Sequence, residues 1–323
     1  MNYLTNARQQ KIKYATLLLV ALAFVVGVAI GAAVQRSIGV GNVLRDIGIP
    51  YPTRTPIPTP TPSLSADIID NGHRGKLALF ILAGQSNMSG IGPVPSDAPD
   101  PSPQIYLFGN DYRWHIAQEP IDAATDQVDR VSIDVWAGYS PGLAFATELF
   151  THDPDLLIGL IPCAKSSSSI SQWQRNLSDD SLYGSCIKRA RAASTMGEVA
   201  GILFFQGEAD AVDPILSLEL NPQPHRWAEQ FTRLVADFRN DLSNPMLPVV
   251  FAQIGSYVEP EAFPEWEIVQ AQQASVQLPM VAMIQTGDLA LQDNVHFSAQ
   301  SYQIIGTRFA KAYWQFLNAS DQN

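Results

Sequence analysis

The 323-residue chain carries 20 Lys+Arg against 31 Asp+Glu, a formal net charge of −11, and 46% of its residues are hydrophobic. That hydrophobic share excludes a disordered polymer, and the acid excess excludes a nucleic-acid partner, which needs clustered cations. Two cysteines, Cys163 and Cys186, are too few for a disulfide scaffold and lack metal-ligand spacing; the expectation is buried free thiols, with a disulfide between them outside the cell the alternative.

Residues 14–34 contain no charged side chain. As a helix they span about 31 Å, the thickness of a bilayer's hydrocarbon core, which predicts a transmembrane helix. Arg8, Lys11 and Lys13 precede the run and only Arg36 follows closely. The positive-inside rule then keeps residues 1–13 in the cytoplasm and puts the body outside the cell membrane. The run exceeds the apolar core of a cleaved signal, so it reads as an uncleaved anchor; cleavage after Ala29-Ile30-Gly31, giving a secreted protein, is the alternative. Residues 35–72 form a Pro/Thr-rich stalk, with prolines at 50, 52, 56, 58, 60 and 62 favouring an extended rod.

The body, 73–318, ends before a short tail, 319–323. Within it, residues 77–83, 156–162, 201–206, 247–254 and 280–285 are short, nearly continuous apolar runs. Such runs mark parallel strands covered on both faces. Helical patterns lie between them at 143–152, 182–196, 225–242 and 297–317, and residues 91–135, rich in Pro and Asp, read as loops. The expected fold is a three-layer α/β/α sandwich on a five-stranded parallel sheet. Such sheets bind ligands at the carboxyl ends of their strands.

Three polar clusters fall at those ends. The first strand runs into Gly84-Gln85-Ser86-Asn87-Met88, where Ser86 is either a nucleophile or a helix cap. The third runs into Gln206-Gly207-Glu208-Ala209-Asp210, with the Gln206 amide a candidate oxyanion donor and Glu208 a candidate to position substrate, or else an ordinary acidic turn. After the last strand come Asp293-Asn294-Val295-His296. A carboxylate three residues before an imidazole can fix its tautomer and leave the other ring nitrogen to take a serine proton. No metal-ligand spacing occurs, and no cofactor is expected.

Together these blocks resemble the sialate O-acetylesterase/acetylxylan esterase group of the SGNH (GDSL-like) hydrolases, from about residue 76 to 317. The resemblance implies a flavodoxin-like fold and a metal-free serine esterase that removes acetyl groups from carbohydrate. It makes Ser86 the nucleophile, His296 the base and Asp293 its orienter. It gives the oxyanion to the Ser86 N–H and the Gln206 side chain, within a substrate-binding set that includes Gln85 and Glu208. It implies a further backbone donor in the loop carrying Ser140 and Gly142, where Ser140 stands in place of a usual glycine. A second departure is the run Ser166-Ser167-Ser168-Ser169, where the group often has paired glycines; Trp173 just beyond is either a sugar platform or core. Two rivals remain open: a membrane-tethered glycan-binding protein with a decayed site, and an O-acetyl transferase using the same triad.

Overall fold

The computed structural model describes residues 68, 69 and 72–320. The expected anchor, 14–34, and the prolines of the stalk lie outside the described residues. Among those described, no helix is long and apolar enough to cross a membrane.

Strand β1 (Leu77–Gly84) is apolar almost throughout, and its pleat divides it between two cores. Leu77, Leu79, Ile81 and Ala83 enter one hydrophobic cluster; Phe80 and Leu82 enter the other. A four-residue helix, α1 (Ser86–Ser89), follows directly. Then come β2 (Ile105–Phe108), β3 (Trp114–Ile116), α2 (Pro141–His152), β4 (Ile158–Pro162), α3 (Leu182–Ala193) and β5 (Gly197–Phe205). The chain closes with α4 (Trp227–Asp241), β6 (Val249–Ala252), α5 (Trp266–Ala274), β7 (Val281–Ile284) and α6 (Ala299–Ser320).

The sheet has seven strands in the order β3-β2-β4-β1-β5-β6-β7. The five expected strands are all present, and the count of five is corrected by β2 and β3, both within the stretch read as loops. They span four and three residues, too short for an apolar period to stand out among prolines and aspartates. β2 extends the parallel sheet beside β4, and β3 turns back antiparallel to β2 as the edge. Helices α3, α4 and α5 cover one face through Ile187, Phe231, Leu234 and Val269. Helices α2 and α6 cover the other through Phe145, Leu149, Ile305 and Phe309. Each such side chain, fully buried, contributes about 1.5–3 kcal/mol.

β1 lies centrally, flanked by β4 and β5, so the chain leaves its carboxyl end beside two neighbours whose connections diverge. The turn out of β1 needs glycine. Gly84 has φ +134°, and a Cβ there would stand 2.1 Å from the Phe205 carbonyl oxygen. This close approach aims residues 85–89 at the rim.

The cysteines are not free. Cys163, the first residue after β4, forms a disulfide with Cys186 of α3, with Cα atoms 5.4 Å apart. The expectation of free thiols fails because α3 packs on the end of β4 and brings residues separated by 23 positions together. Closing a loop of that length restricts the unfolded chain, a stabilisation of about 3 kcal/mol. The Cys186→Ala variant is expected to have an unfolding free energy lower by that amount, read as a lower denaturant midpoint; an unchanged midpoint would show that the bond does not constrain the chain.

Candidate active site

Ser86 opens α1 at the end of β1, and His296 lies in the turn between β7 and α6. The Ser86 Oγ is 2.9 Å from His296 Nε2. His296 Nδ1 lies 2.9 and 3.0 Å from the two carboxylate oxygens of Asp293. A carboxylate only accepts, so Nδ1 carries the ring proton and Nε2 is left to accept from the serine hydroxyl. The Asp293 carboxylate also accepts from the backbone N–H groups of Val295 (3.1 Å) and His296 (2.9 Å), which closes the turn. Burial works to raise its pKa, but the His296 ring and these two amides outweigh it and bring it down to about 2. The residue is therefore an anion throughout the neutral range.

Asn87, next to Ser86, holds the loop that carries His296. Its Nδ2 donates to the Val295 carbonyl (3.0 Å) and to Glu208 Oε1, and its Oδ1 accepts from the Tyr302 hydroxyl of α6 (2.8 Å). Neither Asn87 nor Tyr302 was singled out from sequence. Asn87 sits inside the Gln85-Ser86-Asn87 block, which was the available signal; Tyr302 lies on an ordinary helix face and had none. Glu208 is buried, with its pKa raised by that burial against the opposing Asn87 bond, and its Oε2 has no hydrogen-bond partner in the protein.

The loop after β4 borders the same point. Lys165 N–H donates to the Gly84 carbonyl (2.9 Å), and the Ser168 hydroxyl donates to that carbonyl as well (3.3 Å). Asp134, buried in a distant loop, accepts from the Ser166 N–H (3.0 Å), from the Ser166 hydroxyl and from the Ser89 hydroxyl of α1 (3.1 Å). The turn between these ties places Ser167 exposed with φ +59°, a backbone region that favours glycine.

Several expected site residues take other positions. Gln206 is fully buried, and its amide orientation is set by Trp227 Nε1, which can only donate and does so to Gln206 Oε1 (2.8 Å). Gln206 Nε2 then spends its two hydrogens on the Ser168 carbonyl (3.0 Å) and Asp210 Oδ2 (2.7 Å), with Gln85 Oε1 also near (3.3 Å). It has no donor left for an oxyanion. Gln85 is likewise turned inward: its Oε1 accepts from the Gly207 and Ala209 N–H groups and binds the turn after β5 to the turn that carries Ser86. Ser140 is the N-cap of α2, accepting from the Gly142 N–H (3.1 Å) and donating to Glu119 (2.9 Å). Both Ser140 and Gly142 are buried at the start of that helix and make no hydrogen bond to Ser86 or His296. Trp173 is wholly buried, its Nε1 donating to Ser168 (3.0 Å) and its ring edge-on to Phe204. Core packing, not a sugar platform, is its role. Asp288, the other acid after β7, is paired with Arg308 at 2.6 Å.

The family described as "Carbohydrate esterase, sialic acid-specific acetylesterase" matches residues 76–315. A probable carbohydrate esterase of Arabidopsis thaliana is 30% identical over 258 residues, covering 73% of this chain and 89% of that protein. An Arabidopsis thaliana crystal structure superposes with a TM-score of 0.62 at 28% identity, covering 74% of this chain and 98% of the other. A carbohydrate acetylesterase from Xanthomonas citri shares the fold, with a TM-score of 0.56 at 18% identity over 73% of this chain and 55% of that one. With its serine, histidine and aspartate gathered at the strand ends of an α/β sheet, the chain belongs to the carbohydrate esterase, sialic acid-specific acetylesterase family and is a carboxylic ester hydrolase.

Proposed function

We propose that the chain removes O-acetyl groups from carbohydrate through an acyl-enzyme on Ser86. The observation that carries this reading is the unbroken run of contacts from the Asp293 carboxylate through the His296 ring to the Ser86 hydroxyl. In the first step His296 Nε2 takes the Ser86 proton while Oγ attacks the acetyl carbonyl. The tetrahedral oxyanion forms beside the Ser86 N–H at the start of α1, and each preorganised donor to it is typically worth about 3–4 kcal/mol. His296 then returns the proton to the departing sugar oxygen. Water, deprotonated by the same ring, releases acetate and restores Ser86. Asp293 stays ionised throughout and stabilises the imidazolium.

The disulfide supports a body that works outside the cytoplasm, since buried cysteine pairs persist in oxidising compartments. With the apolar run at 14–34, this favours a membrane-tethered enzyme facing the exterior. The test is acetate release from a panel of acetylated xylan, sialic acid and bacterial glycans. Release accompanied by free sugar hydroxyl is expected from at least one; no release from any would overturn the reading and favour a glycan-binding protein. An added alcohol acceptor distinguishes hydrolysis from transfer, because a transferase would yield the acceptor's acetate ester.

A further inference from the structure

Four consecutive serines, Ser166 to Ser169, follow shortly after β4, and three of them use their hydroxyls inside the protein. Ser166 Oγ donates to Asp134 Oδ2. Ser168 Oγ donates to the Gly84 carbonyl (3.3 Å) and accepts from Trp173 Nε1 (3.0 Å). Ser169 Oγ donates to the Leu220 carbonyl and pairs with Ser171 Oγ (2.9 Å). Ser167 differs. It is exposed, and among the described residues its hydroxyl meets no partner.

Its backbone is also unfavourably placed. At φ +59° the Cβ crowds the carbonyl that follows, a conformation glycine adopts without that strain. Such a residue persists when its surroundings fix it, and here they do so from both sides. On one side the Lys165 N–H and Ser168 Oγ both donate to the carbonyl of Gly84, which stands two residues before Ser86. On the other, Asp134 accepts from the Ser166 N–H (3.0 Å) and from the hydroxyl of Ser89, three residues after Ser86 (3.1 Å). β4 lies directly against β1, about 4.8 Å away, so the serine turn stands at the same carboxyl end as the turn that carries Ser86. The strained residue of this turn therefore presents an uncommitted hydroxyl to a molecule arriving at Ser86.

The chemistry of the substrate limits what that hydroxyl can meet. The acyl side of an acetyl ester ends in a methyl group, which neither donates nor accepts. Beyond the ester oxygens, every hydrogen-bonding group of an acetylated sugar belongs to the alcohol that leaves. A serine hydroxyl both donates and accepts, which suits the hydroxyls and amides of a sugar. We infer that Ser167 is a specificity-determining residue, whose hydroxyl binds a neutral polar group on the sugar side of the scissile ester. This rests on the acetylesterase reading above and deepens it: the chain selects its substrate by the leaving alcohol and not by the acyl group alone.

Two variants of the full chain separate the hydroxyl from the strain. Ser167→Ala keeps the Cβ and its crowding and removes the hydroxyl; Ser167→Gly removes both. The first substrate is whichever of acetylated xylo-oligosaccharide, O-acetyl sialic acid and O-acetylated muropeptide the parent chain hydrolyses fastest. The second is phenyl acetate, whose alcohol side has no hydrogen-bonding group beyond the ester. The readout is the ratio of kcat/KM for the first to kcat/KM for the second. In both variants this ratio is expected to fall by about three- to tenfold, the worth of one neutral hydrogen bond, chiefly through a higher KM for the sugar ester. The thermal midpoint of Ser167→Gly is expected to match or exceed the parent's, because a positive φ suits glycine. An unchanged ratio overturns the inference, whether both rates hold or both fall together, as they would if Ser167 served the ester itself. A ratio that falls in only one variant overturns it too, since the lost hydroxyl is common to both. A parent chain that releases acetate from none of the three sugar esters overturns the acetylesterase reading and this inference with it, a result seen before any variant is made.

Discussion

Replacing Ser86 with alanine is expected to lower kcat/KM for acetyl esters by roughly 10^4- to 10^6-fold, as when an enzyme that forms an acyl intermediate loses its nucleophile. The effect is chemical rather than structural. The Ser86 hydroxyl is hydrogen-bonded to His296, whereas the local backbone is held by Gln85, Asn87 and Gly84. The thermal midpoint of Ser86→Ala should therefore stay within a few degrees of the parent chain, a surface-scale change. Mass spectrometry after brief exposure to 4-nitrophenyl acetate should find a 42-Da adduct, about one acetyl group, on the parent and none on the variant. Wild-type turnover by the alanine enzyme would end the Ser86 assignment.

The Asp293→Asn enzyme is expected to lose about 10^2- to 10^4-fold in kcat with little change in KM, because the amide no longer selects the tautomer that leaves Nε2 free. The site is part-exposed, with Asp293 37% accessible, so water tempers the loss relative to a deeply buried orienter. Asp293 titrates near 2, and its folded value lies below its unfolded one. Its contribution to stability is thus fully present above about pH 4 and is lost as the pH falls toward 2. Any loss of activity at pH values well above 2 must then arise from a group other than Asp293. A full-speed Asp293→Asn enzyme would transfer the orienting role to another acid. Asp288 is already taken by Arg308, which leaves buried Glu208, whose charge attracts the His296 ring through space.

Much of this arrangement was legible before the structure. Continuous apolar runs marked β1, β4, β5, β6 and β7, because a strand buried on both faces needs apolar side chains at every position. The strand-end rule then directed attention to Ser86 and to the Asp293–His296 pair, and the structure brings these three together. The pairing within 293–296 is local, which is why spacing sufficed to suggest it. Side-chain direction was not legible. Gln206, Trp173 and Ser140 have the right chemistry near the right strand ends, but each is turned inward. Trp227 commits the Gln206 amide, Ser168 and Phe204 hold the Trp173 ring, and Glu119 and Gly142 occupy Ser140.

What the amino-acid order determined by itself was the alternation of strand and helix, the rim on which the polar blocks fall and the local turn that joins a carboxylate to an imidazole. These follow from burial period and short spacing, which need no knowledge of distant residues. Only the tertiary structure decided the edge pair β2–β3, the Cys163–Cys186 bond and the Asn87–Tyr302 brace. Each depends on which groups separate segments present to one another after packing, and a hydrogen bond or disulfide exists only when both partners arrive at the same few ångströms.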